Sequence, residues 1–136
     1  MADKQVKVEI VTPERIVFSE EVEFVVVPGE EGYLGILANH APIVAALKIG
    51  VMKVIQNQKE IKLAISGGFM EVSKNKLVVL ADTAERGDEI DVARARAAKE
   101  RAEQRLASRT HDIDLVRAEL ALRRAIARIK AAGYEV

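Results

Sequence analysis

The sequence contains no cysteine. That removes disulfides, thiolate metal ligands and a sulfur nucleophile at once, fits a reducing compartment, and leaves packing as the source of stability. A net field is missing too, because 21 basic side chains offset 21 acidic ones. Nothing global draws the chain onto nucleic acid or an anionic membrane, so such a partner would have to be met locally. No window approaches the roughly 18 unbroken apolar residues of a membrane span. The opening MADKQVKVEI has neither the apolar core of a secretory signal nor an Arg/Ser-rich transit pattern. If the protein works at a membrane, a partner is expected to hold it there. Metal ligands are also scarce, since the two histidines, His40 and His111, lie far apart and calcium-loop spacing is absent.

What remains is a chain of 136 residues, 49% hydrophobic and 31% charged, the balance of a folded water-soluble protein with one modest core or a small core plus an appendage. Its two halves differ in texture. Up to about residue 83, short runs alternate with period two: Val6, Val8, Ile10; Val22, Phe24, Val26; Val51 and Lys53 to Ile55; Ile61, Leu63, Ile65. Turn signals separate them, among them Pro28-Gly29, Gly50, Gly67-Gly68 and Lys74-Asn75. The pattern predicts a β-sandwich of about ten strands over residues 1–84. Residues 85–136 then become rich in alanine and arginine, with no proline and few β-branched residues. Two apolar seams, Val92-Ala95-Ala98-Ala102-Leu106 and Leu115-Ala118-Leu122-Ala125-Ile129, flank a polar stretch at 108–114 in which Asp112 or Asp114 can cap a helix. The expected fold is therefore α+β, an N-terminal sandwich followed by an antiparallel two-helix hairpin. Alanine seams bury little, about 0.8 kcal/mol per methyl, so the hairpin should release easily.

The charge chemistry divides at the same place. Of nine basic residues in 1–84 one is arginine; of twelve in 85–136 ten are. Guanidinium is a planar fork suited to phosphates and carboxylates. Arg94 and Arg101 stand seven apart, and Arg117, Arg124 and Arg128 follow at spacings of seven and four, so each group can share one helix side. Such stripes commonly form a solvated face tied by i,i+4 pairs, for example Glu100 with Gln104 or Glu119 with Arg123. A nucleic-acid-binding module is the alternative, but Phe18, Phe24, Phe69, Tyr33 and Tyr134 do not interrupt the stripes with the stacking surfaces such modules use.

GYLGILANHAP at 32–42, AISGGFMEV at 64–72, EIDVARARAAKERAEQRL at 89–106 and RAELALRRA at 117–125 together resemble the epsilon subunit of bacterial F-type ATP synthases, over essentially the whole chain. The resemblance implies a non-catalytic rotor subunit of the central stalk at the cytoplasmic face of the plasma membrane. Its implied partners are the gamma subunit, the ring of c subunits and, through extended helices that inhibit ATP hydrolysis, the alpha/beta hexamer. Ile90-Asp91-Val92-Ala93-Arg94-Ala95 fits I/L-D-x-x-R-A, which in several members marks an ATP site that stabilises the folded hairpin. Asp91 would cap the helix or accept from an adenine amino group, Arg94 would meet phosphate, and Ala95 would leave room for the base. Arg101, Arg117, Arg124 and Arg128 would converge on the triphosphate, with Glu85 on ribose or base. ATP, with or without magnesium, would be a regulatory ligand only, since no Walker loop is present and no cofactor is required. Glu30, Glu31 and His40 are expected to contact the c ring. Read as catalysts they are poor candidates: His40 has no nucleophile or acid at a recognisable spacing, and Glu30-Glu31 reads as a solvated turn. Phe69, Met70 and Val72 are assigned to the core, with one exposed patch reserved for gamma.

Overall fold

The computed structural model describes residues 4–108 and 114–136. Among the described residues eight strands precede two α-helices: β1 (Val6–Val11), β2 (Ile16–Val22), β3 (Phe24–Gly29), β4 (Gly32–Leu37), β5 (Ile43–Gln56), β6 (Lys59–Ser73), β7 (Lys76–Ala81), β8 (Ala84–Arg86), α1 (Val92–Ser108) and α2 (Leu115–Ala131). The strands run in the order β2-β1-β7-β6-β5-β3-β4, with β8 added to β6. All neighbours are antiparallel except β1 and β7.

The long strands β5 and β6 make this one hydrogen-bonded path a sandwich. Ile43–Leu47 pairs with Gly68–Val72, which continues onto β7, whereas Lys53–Ile55 pairs with β3 on its other side. Each strand therefore passes from one layer to the other. The count of about ten is corrected to eight, because Gly50 and Gly67-Gly68 lie inside these strands instead of ending them. Gly68 has φ of 120°, and a Cβ there would stand 2.1 Å from the Leu80 carbonyl oxygen, so only glycine permits this bend. A second difference lies at Glu23, which separates β2 from β3 within the run read as one strand. In β3 Val25 and Val27 face the core in place of Phe24 and Val26. Three consecutive valines carry no period-two signal, so their sequence fits either phase. Side chains from all eight strands meet in one core that includes Val8, Phe18, Val25, Ile36, Met52, Leu63, Ile65 and Leu77.

The helices have clear local causes. Asp91 Oδ1 accepts the Arg94 amide at 3.1 Å to start α1, and Asp114 Oδ1 accepts the Arg117 amide at 3.0 Å to start α2. Asp112 and the rest of the stretch 109–113 lie outside the described residues. At the far end the Gly133 amide donates to Lys130 O and the Tyr134 amide to Ile129 O, with Gly133 at φ of 92°. That is the Schellman stop a glycine provides. Arg96, near the start of α1, donates to the Glu135 carbonyl beyond the end of α2, so the pair is antiparallel. Most of both seams is used: Ala95 and Ala102 are buried on α1, and Ala118, Ala125 and Ile129 on α2, while Leu115 at the start of the second seam stays exposed. Another side of α2 sets Ala127 and Ala131 on Val51 and Ala64, with Ile49 and Ile90 alongside. The second helix is thus the middle layer between the sandwich and α1.

Candidate functional site

The arginine-bearing residues divide into an assembled group and a dispersed one. Glu85, on β8, accepts from Arg128 Nε at 2.6 Å, so the edge of the sandwich is bonded to the last turn of α2. A charge-assisted bond of this length holds the guanidinium in orientation. Arg124 sits half-buried one turn earlier on α2. Ile90 packs beside the small-residue seat, and Asp91 follows as the cap already described, one carboxylate oxygen committed to the backbone. Ala95 is buried in the helix seam. Arg94 and Arg101 are exposed. Because the helices are antiparallel, the start of α1 lies level with the end of α2, which brings Arg94 toward the same end of the hairpin as Arg128. Arg117 stands apart, eleven residues before Arg128, or about 16 Å along the axis at 1.5 Å per residue. Among the described residues Arg94, Arg101, Arg117 and Arg124 pair with no carboxylate, while Arg123 takes Glu119 at 2.8 Å, the solvated i,i+4 pair anticipated from spacing.

The sandwich residues also separate. Glu30 and Glu31 form the exposed turn between β3 and β4, above a cavity of about 490 Å³ lined by Tyr33, Leu34, Val44 and Ala46. His40 lies past the other end of β4, a strand of six residues that spans roughly 20 Å when extended. Its Nδ1 is 2.6 Å from the Ala41 carbonyl, a contact that braces the loop. Asn75 holds the same loop, accepting the Asn39 amide at 2.7 Å and donating to the Gln5 carbonyl at 2.9 Å.

Met70 and Val72 are core residues as expected, but Phe69 is 60% exposed. It pairs across the sheet with Ala46 and Leu80, Leu80 with Val11, and Val11 with Ile16. These five side chains form one row over five strands on an outer face, and Leu80 and Ile16 are themselves 57% and 64% exposed. Strand parity was the available signal: if Met70 and Val72 point inward, Phe69 points out.

Residues 5–87 match the family model for the ATP synthase Delta/Epsilon chain beta-sandwich domain, and residues 88–133 match that for the long alpha-helix domain of the same chain. The ATP synthase epsilon chain of Pelotomaculum thermopropionicum is 62% identical over 133 residues, covering 98% of this chain and 99% of that one. Its counterpart in Desulforamulus reducens is 62% identical over 129 residues, covering 95% and 98%. In structure, a chain of the Euglena gracilis mitochondrial ATP synthase (OSCP/F1/c-ring, rotational state 1) superposes with a TM-score of 0.81 at 24% identity, over 97% of this chain and 83% of that one. That likeness is one of fold.

Proposed function

The chain belongs to the ATP synthase epsilon chain family, and from that premise we propose that it is a non-catalytic rotor subunit whose helical hairpin regulates ATP hydrolysis. The carrying observation is the seat of α2. Ala127 and Ala131 meet Val51 and Ala64, and one partly exposed ion pair, Arg128 with Glu85, fastens the edge. Alanine side chains supply few methylenes, and an exposed pair adds little. An element held so lightly can exchange between a docked and an extended arrangement separated by a few kcal/mol.

In this reading the sandwich attaches the subunit to the rotor. The Phe69–Leu80–Ile16 row supports a face for gamma, and the Glu30–Glu31 turn and the His40 loop serve the c ring. The membrane is reached only through the complex, on its cytoplasmic face. Extended helices act on the alpha/beta hexamer, and ATP favours the docked state. The Glu85–Arg128 pair, Arg124 and the Ile90–Ala95 segment support a nucleotide site at the end of the hairpin near the sandwich, with Arg94 and Arg101 as phosphate donors. Arg117 reaches it only if the side chain or the helix moves.

Calorimetric titration of the chain with ATP, beside an Asp91→Ala/Arg94→Ala variant, tests the sensor. One-to-one binding abolished in the variant supports it, and unchanged binding assigns ATP elsewhere. Ending the chain after residue 86 should raise ATP hydrolysis by the reconstituted complex. Unchanged hydrolysis would remove the inhibitory role.

A further inference from the structure

A cavity of about 590 Å³ lies where the last turn of α2 and the segment after it cross the sandwich, and none of its lining residues belongs to the nucleotide set. That volume suits a small ligand. Lys53 and Lys62 line one wall and are directly opposed in the β5–β6 register. Two ammonium groups facing each other across strands repel unless an anion lies between them. The neighbouring pair on the same face, Val51 and Ala64, is the buried seat of α2, so the lysines stand where the helix stops covering the sheet. Lys130, in the last turn of α2, lines the opposite wall.

The rest of the lining extends this charge. Tyr33 and Tyr134 both line the cavity and offer phenolic hydroxyls. Lys48 Nζ lies 5.6 Å from the Tyr33 ring centroid and Arg96 Cζ 6.0 Å from that of Tyr134, adding two cations at the margin. Against them stand Glu135, in the lining, and Glu60, 3.7 Å from Lys62 on its own strand. Among the described residues Lys53 and Lys130 have no carboxylate partner. A compact anion of two or more charges is the species this arrangement would stabilise, since separate ammonium groups on separate elements can each donate to a different oxygen.

We infer that the cavity between Lys53, Lys62 and Lys130 is a binding site for a di- or polyphosphate group, and that its occupant ties the end of α2 to the sheet. The inference does not rest on the hairpin's nucleotide reading, because the residues differ. Pyrophosphate is the probe. Titrated into the full chain, it should bind one to one and slow hydrogen exchange at the Tyr134 and Glu135 amides. Affinity should fall at least tenfold in Lys53→Gln/Lys62→Gln, whose replaced side chains are exposed and half-buried outside the core and whose fold is checked by circular dichroism. It should be unchanged in Asp91→Ala/Arg94→Ala. Displacement of pyrophosphate by ATP in that second variant identifies a nucleotide phosphate as the natural source; failure to displace identifies an inorganic polyphosphate. Absence of saturable binding, or equal binding by the lysine variant, overturns the site.

Discussion

The sandwich and the hairpin are stabilised by different means. The sandwich encloses Ile10, Ile36, Met52, Leu63, Ile65 and Leu77 at no more than 1% exposure. The hairpin is held to it mainly by Ala127, Ala131 and the Arg128–Glu85 ion pair. Large apolar side chains in a shared core make folding of all eight strands cooperative. Methyl groups on a flat seat permit close approach without a comparable gain. The contrast separates a permanent scaffold from an element whose attachment is adjustable, within one polypeptide.

The sharpest way to break that comparison is to damage the scaffold. Ile65→Ala, at a position with no exposed surface, should cost about 2–5 kcal/mol. Urea unfolding followed by far-ultraviolet circular dichroism should show one earlier transition for strands and helices alike. Retention of the wild-type midpoint would mean that the core is less shared than the packing implies.

The attachment can be broken by itself at Gly87. A Cβ there would lie 2.0 Å from the Ala131 carbonyl oxygen and 3.2 Å from that of Lys62. This glycine serves close approach of α2 to the sandwich, not an unusual turn. Gly87→Ala should disfavour docking by about 1–3 kcal/mol, the usual range for overpacking, while leaving sandwich stability unchanged. Disulfide trapping between Ala64→Cys and Ala127→Cys reads the docked population and should fall several-fold. Undiminished trapping would show that the last turn adjusts around the methyl.

A smaller change weakens a helix without touching the seat. Asp114→Ala removes the cap of α2 and should cost about 1 kcal/mol. Amide exchange should accelerate in the first turn, at Val116–Ala118, and far less at Ile129. Uniform acceleration would mean that α2 docks only as a complete helix.

The residues explain how much of this was legible in advance. Helical seams and caps are local, so Ala95, Ala102, Ala118, Asp91 and Asp114 could be assigned from spacing. The sandwich architecture followed from alternation and turn residues. The strand count did not, because Gly67 and Gly68 mark a turn and a bend with the same letters, and only the nearness of Leu80 distinguishes them. Phe69 reads as a core residue by hydrophobicity, and only its parity relative to Met70 turns it outward. In the candidate nucleotide set the resemblance marked Glu85 and Arg128, yet their contact joins residues 43 positions apart and depends on how α2 lies on β6. The lysines of the second cavity gave no signal in sequence, since Lys53 and Lys62 become opposed only through the β5–β6 register.

The smallest predicted effect concerns a brace within the scaffold. Glu23 accepts the Asn57 amide at 2.9 Å and the Gln58 amide at 3.3 Å, closing the β5–β6 turn, where both turn residues have positive φ. Asparagine tolerates that conformation well and glutamine less so, so the carboxylate helps hold a turn that Gln58 disfavours. Those two amides, Asn57 first, hold the Glu23 pKa below the usual carboxylate range. A pKa depressed by folding means that the ionised group stabilises the native state above its unfolded value, about 4.3, and that this contribution is lost as pH falls through the lower folded value. Glu23→Gln should therefore lower the melting temperature slightly at pH near 6 and by less near pH 3. The other carboxylates titrate in both proteins, so the narrowing of the difference isolates Glu23. A gap that stayed constant across that range would assign the effect to side-chain packing and remove the amides as its cause.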